Sequence, residues 1–98
     1  MSDLRVVAEI IAKPGSEDVI RGALSKLASA TQSEDGCNTY ELFESAAAPG
    51  TFFTLESWCS QADLDAHMQT DHVAAAFAVA GEHVSAAPAI HPLTPVEG

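Results

Sequence analysis

Basic residues are scarce in this chain. Four Lys and Arg stand against fourteen Asp and Glu in 98 residues, for a net charge of −10. Such a surface repels phosphate backbones and anionic headgroups, which argues against a nucleic-acid partner or a membrane-surface role. Long hydrophobic runs are missing too: nothing approaches the ~20 apolar residues of a membrane span. Charged residues of both signs make up only 18% of the chain against 47% apolar. A domain so short of charge is expected to hide surface against a partner. Cys37 and Cys59 are the only cysteines, too few for a disulfide framework. Met1-Ser2-Asp3 lacks the basic stretch and apolar core of a secretory signal. The expected setting is the cytoplasm, where thiols stay free. Gly-rich phosphate loops, G-x-G-x-x-G, G-x-S-x-G, His-Glu-x-x-His and calcium-loop patterns are absent, so nucleotide, flavin, esterase-type and motif-borne metal chemistry have no support.

What is present reads as one domain, 1–98, with the order β-α-β-β-α-α-β. Residues 4–12 are β-branched and almost continuously apolar, a strand covered on both faces. Lys13-Pro14-Gly15 breaks it, and Ser16 stands as N-cap ahead of Glu17 and Asp18. Val19, Ile20, Ala23, Leu24, Leu27 and Ala28 then line one helical face, up to the stop at Ser33-Glu34-Asp35-Gly36. Strands 37–45 and 51–59 flank a short linker ending in Pro49-Gly50, a hairpin pattern. With the turn centred near Ala48, Tyr40 falls beside Glu56 and Phe43 beside Phe53, and Cys37 lies nearly opposite Cys59. Ser60 and Asp63 form a capping box for a helix carrying Leu64, His67 and Met68 on one side. Thr70-Asp71 opens another helix, striped by Val73, Ala76, Phe77 and Ala80, with Gly81 as its stop. A last strand, 84–93, is broken or confined to a sheet edge by Pro88 and Pro92, and 94–98 reads as a loose tail.

This order predicts an α+β, ferredoxin-like antiparallel sheet with helices on one face. Val7, Ile11, Phe43, Phe53 and Leu55 would then share the uncovered face. An apolar patch of that size marks an interface, so the expectation is a homodimer joined sheet to sheet.

Glu34-Asp35-Gly36-Cys37-Asn38-Thr39-Tyr40-Glu41-Leu42 resembles the E-x-G-C-x-x-Y-x-L segment of the antibiotic biosynthesis monooxygenase domain family. Glu56-Ser57-Trp58 resembles its E-x-W strand, and the run from Leu64 to His72 its L-x-x-H-x-x-x-x-H helix; Lys13-Pro14-Gly15 also suits it. The resemblance covers nearly the whole chain. It implies a dimeric α+β barrel with a pocket between each sheet and its own helices. Family members include cofactor-independent oxygenases of quinols and polyketide phenols, haem-degrading monooxygenases and a phosphosugar isomerase. The haem degraders share an Asn on the first strand and a Trp and a His on the helices, and alignment puts Val7, His67 and Phe77 in those places. Haem breakdown is therefore disfavoured, and four basic residues in all disfavour a phosphorylated substrate.

The remaining activity is cofactor-free oxidation of a small quinol-like or polyphenolic aromatic by O2. It asks for an apolar cavity, a proton acceptor that works near neutral pH and exclusion of water. His67 is the base by residue type, and Tyr40 and Glu56 would position or shuttle the proton. Trp58, Leu42, Met68, His72 and Phe77 would wall the substrate pocket. Each has a plainer reading. His67 could border the core half exposed with a backbone partner, the aromatic rings could be core, and His72 could be an ordinary first-turn residue. His67 and His72, five apart, diverge by about 140° on a continuous helix, so no metal is expected, and the missing nucleotide and flavin patterns leave no cofactor expected. The alternative function is a non-catalytic dimeric module that binds a small apolar ligand. A cavity containing His67 beside Tyr40 and Glu56 would favour the oxygenase, and a cavity filled by Trp58, Phe77 and Met68 the module.

Overall fold

Strand β1, Leu4–Ile11, buries alternate residues because successive side chains point to opposite faces. Val6, Ala8 and Ile10 enter the core while Val7 stays half-buried on the other side. The computed structural model describes residues 3–96; Met1 and Ser2 of the start read as lacking a signal, and Glu97 and Gly98 of the expected loose tail, fall outside them. The order is β1, α1 (Glu17–Thr31), β2 (Cys37–Glu44), β3 (Thr51–Trp58), α2 (Gln61–Met68), α3 (Asp71–His83) and β4 (Ala89–Leu93). The strands form one antiparallel sheet, ordered β2-β3-β1-β4, and the ferredoxin-like arrangement holds. Tyr40 pairs with Glu56 and Phe43 with Phe53, as the hairpin count places them.

Helix α1 buries Ile20, Leu24, Leu27 and Thr31, spaced to lie along one stripe. Val19 sits off that stripe and is exposed. Ser16 does not cap α1 through its side chain; its hydroxyl instead pairs with Nδ1 of His83 at 3.0 Å, joining the start of α1 to the end of α3. Gly81 does not stop α3, which runs on to His83. The final strand begins at Ala89, not Val84, which makes only an isolated bridge to Ala12. Pro92, opposite Val6, is tolerated because β4 is an edge strand. A bulge after Cys37 sets it opposite Trp58 rather than Cys59. Both thiols are free, and Sγ of Cys59 lies 3.4 Å from Oδ1 of Asn38. The core between sheet and helices is led by Trp58, Phe52, Ile20 and Val6, and burying a large apolar side chain stabilises by about 1.5–3 kcal/mol.

Candidate functional site

The inner face of β3 presents Phe52, Thr54, Glu56 and Trp58, all buried. Carboxylates are rarely taken out of water unless hydrogen-bonded, and Glu56 has both oxygens occupied. Thr54 Oγ1 donates to Oε2 at 2.7 Å and Trp58 Nε1 donates to Oε1 at 2.9 Å. Tyr40 faces Glu56 across the β2–β3 pair. Burial, and then the Glu56 carboxylate, hold the Tyr40 hydroxyl well above the usual phenol range, against a smaller pull from Thr54. Tyr40 is thus a standing O–H donor and not a phenolate.

The third polar group comes from α2. The Ser60 hydroxyl accepts from the Asp63 N–H at 3.2 Å and starts the helix. Leu64 and His67 face inward. The His67 ring lies 4.6 Å from the Trp58 ring and 5.8 Å from that of Tyr40. The helix then breaks. Thr70 donates through Oγ1 to the His67 carbonyl at 2.7 Å and accepts from the Val73 N–H at 3.3 Å, ending α2 and capping α3 with one side chain. The new axis swings His72 back toward His67. Oε2 of Glu34 lies within hydrogen-bond distance of both rings, 2.6 Å from Nδ1 of His67 and 2.7 Å from Nε2 of His72. Contrary to the expectation from five-residue spacing, which holds only on one continuous helix, the two histidines share one carboxylate oxygen. Glu34, His67 and His72 have donor atoms within 4.8 Å of one another and are the group among the described residues that could hold a metal ion. As they stand, those atoms already satisfy one another. Sequence reasoning missed Glu34 by reading it as part of a turn; its place at the head of the E-x-G-C segment was the available clue.

A cavity opens between the sheet and the helices. Its polar lining is Tyr40, Thr54, Glu56 and His67; the rest is apolar, including Leu24, Met68, Phe77 and Ile90. It is narrow, with about 50 Å³ open to the centre of a water-sized sphere inside about 570 Å³ of atom-free space that includes the mouth. Tyr40, Glu56, His67, Met68 and Phe77 are thus brought together around one space. Trp58, Leu42 and His72 are not. Trp58 is fully buried behind Glu56, Leu42 packs half-buried on the outermost strand, and His72 turns to Glu34. His67 is buried with a carboxylate partner, not half exposed with a backbone one. Val7, aligned to the haem degraders' Asn, lies on the face away from the helices; the cavity neighbours on β1 are Ala8 and Ile10. Burial, with Glu34 and Glu56 nearby, pushes the Cys37 thiol up, so it is a poor nucleophile.

A model of the antibiotic biosynthesis monooxygenase family matches residues 3–79. Over 96 residues the chain is 30% identical to the Mycobacterium tuberculosis protein named "Putative monooxygenase Rv0793", covering 98% of this chain and 94% of that one. The structure of Rv0793 superposes with a TM-score of 0.89 over 99% of this chain and 98% of its own. The Escherichia coli "Probable quinol monooxygenase YgiN" is 32% identical over 82 residues, 74% of this chain and 79% of that one. Among the described residues no helix is long and apolar enough to cross a membrane.

Proposed function

This chain belongs to the antibiotic biosynthesis monooxygenase family, and from that premise we propose that it oxidises a quinol-like or polyphenolic aromatic with O2, without a cofactor. The observation that carries the reading is the uneven lining of the cavity. Tyr40, Thr54, Glu56 and His67 supply its polar atoms and the remaining walls are apolar; among the described residues no Lys or Arg lines it. Such a space suits an uncharged, flat guest with a hydroxyl group and offers nothing to a carboxylate or phosphate. Because the space is narrow, a ring enters only as Met68 and the exposed Phe77 swing aside; the unbranched thioether does so readily.

His67 takes the phenolic proton, while Tyr40 donates a hydrogen bond to the oxygen that becomes anionic. Glu56, with both oxygens hydrogen-bonded, keeps Thr54 and Trp58 in place. The electron-rich anion passes one electron to O2, and the radical pair joins at carbon as a peroxide anion. The imidazolium returns its proton to that peroxide. Loss of the remaining C–H proton, with expulsion of hydroxide that takes it up, leaves a carbonyl and water. One substrate and one O2 thus give the quinone-type product and one water.

Oxygen uptake over a panel of hydroquinones and anthrones tests this, with the uncatalysed rate subtracted. His67→Ala is expected to lower turnover by roughly 10²–10⁴-fold, the usual contribution of a general base. If His67→Ala matches the parent while Tyr40→Phe or Glu56→Gln collapses, the base is misassigned. If the parent itself matches the blank, the monooxygenase reading falls. One feature favours the module that binds a small apolar ligand without reaction: both Glu56 oxygens are already engaged. That second reading takes over if aromatics bind but none consumes O2.

A further inference from the structure

We infer that Glu34 is a positioning residue that fixes the tautomer of His67, leaving Nε2 as the open proton acceptor at the cavity wall, with His72 as the second donor that pins Glu34. The inference deepens the proposed oxidation and, as regards catalysis, rests on it.

A neutral imidazole carries one N–H, and the two tautomers present opposite nitrogens as acceptors. Left to itself, a histidine side chain favours the hydrogen on Nε2. At His67 that form would aim a donor where the proposed chemistry needs a lone pair. Glu34 reverses the preference. An ionised carboxylate only accepts, so the ring nitrogen facing it must carry the hydrogen, and that nitrogen is Nδ1, at 2.6 Å. A hydrogen bond to an ionised acceptor is of the stronger kind, and the site is sheltered, with side-chain exposures of 4% for His67 and 15% for Glu34. A bond of this kind is stronger there than in water.

The other nitrogen is free. Among the described residues none bonds to Nε2 of His67, yet no buried side-chain nitrogen or oxygen lacks a partner. Nε2 therefore keeps some accessible surface, and the space that His67 borders is the cavity. Glu34 does not line that cavity and touches no substrate there; it acts through His67.

His72 explains why one carboxylate oxygen does this work. Its Nε2–H bonds to the same Oε2 at 2.7 Å, so two donors converge and hold the rotamer of Glu34. No Lys or Arg among the described residues forms an ion pair with Glu34; the ion pairs of Arg21 are with Asp18 and Glu44. The charge of Glu34 is left to the two imidazoles. When Nε2 takes the phenolic proton, Nδ1–H stays in place and an imidazolium–carboxylate pair forms. When the proton returns to the peroxide, His67 is again in its starting tautomer and needs no ring flip between turnovers.

Imidazole ¹⁵N–¹H correlation spectra test the tautomer directly, on the folded protein and without a substrate. The parent is expected to show His67 with a protonated Nδ1 and a pyridine-type Nε2. Glu34→Ala should move the hydrogen largely to Nε2. Glu34→Gln, whose amide oxygen can still accept, should keep much of it on Nδ1. On any quinol the parent oxidises, Glu34→Ala should lower kcat by about 10- to 1,000-fold with KM changed less than about threefold, and Glu34→Gln should recover part of the loss. A parent spectrum with the hydrogen on Nε2, or an unchanged tautomer in Glu34→Ala, overturns the inference. So does stoichiometric Zn²⁺ binding lost in His72→Ala, with both facing nitrogens deprotonated, since the cluster is then a metal centre. If no quinol is oxidised, the function fails while the spectra still decide what Glu34 does.

Discussion

Tyr40 is the only tyrosine in the chain, so its ionisation can be followed without interference. Burial beside the Glu56 carboxylate raises its pKa above the ordinary value of 10.0. The fold therefore keeps a proton that the open chain releases. The resulting stability is whole below pH 10.0 and is lost as pH rises from there toward the folded value. An alkaline titration should show no phenolate absorbance as pH passes 10.0, and then a rise coincident with the loss of circular dichroism. Phenolate appearing near pH 10.0 in a folded protein would contradict the burial. At this scale the sequence was partly readable. Strand alternation and the hairpin count place Tyr40 against Glu56, because period and turn length are local. Glu34 was readable only as the head of the E-x-G-C segment, since its meaning depends on two histidines more than thirty residues away, meeting it only after α2 and α3 have packed.

The break between α2 and α3 is the element on which the site turns. Thr70 was legible as a cap, but the consequence for His72 was not, because helical phase was carried across a boundary where it resets. Thr70 bonds both to the His67 carbonyl and to the Val73 N–H, so Thr70→Ala should cost about 1–2 kcal/mol. For a chain of this size that lowers the melting temperature by roughly 4–8 °C per kcal/mol. The same variant should loosen the convergence on Glu34, seen as faster solvent exchange of the His72 ring N–H. A second constraint lies at Gly36, where an added Cβ would stand 2.2–2.4 Å from the side chain of Asp63, including its Cβ. Asp63 is held in the capping contact with Ser60 and cannot simply swing away. Gly36→Ala should therefore displace the start of α2 and destabilise by about 1–3 kcal/mol, read as a lower denaturation midpoint; an unchanged midpoint would mean the turn yields instead.

Over the whole molecule, the helices cover one side of the sheet and leave Val7, Ile11, Phe43, Phe53, Leu55 and Leu93 on the other. Phe43 is 48% exposed and Leu55 41%. We expect two copies to close these faces against each other. Sedimentation should give a dimer at micromolar concentration, and Leu55→Asp or Phe43→Glu should shift it to monomer, because a charge in a dry sheet interface is left unpaired. A parent that sediments as a monomer would defeat this. The element order and the sheet plan were legible because each apolar period and turn signal agrees with its neighbours. The extent of the last strand was not, since Pro88 and Pro92 say where pairing weakens but not where it starts.

Trp58, the only tryptophan, makes the site visible from within. Its indole is fully buried, bonded to Glu56 and 4.6 Å from the His67 ring, so it touches two of the groups at the cavity without lining the cavity itself. A guest that draws on either group alters the surroundings of the fluorophore while leaving its packing intact. Intrinsic emission, free of any added dye, thus reports occupancy for ligands that are never turned over as well as for those that are.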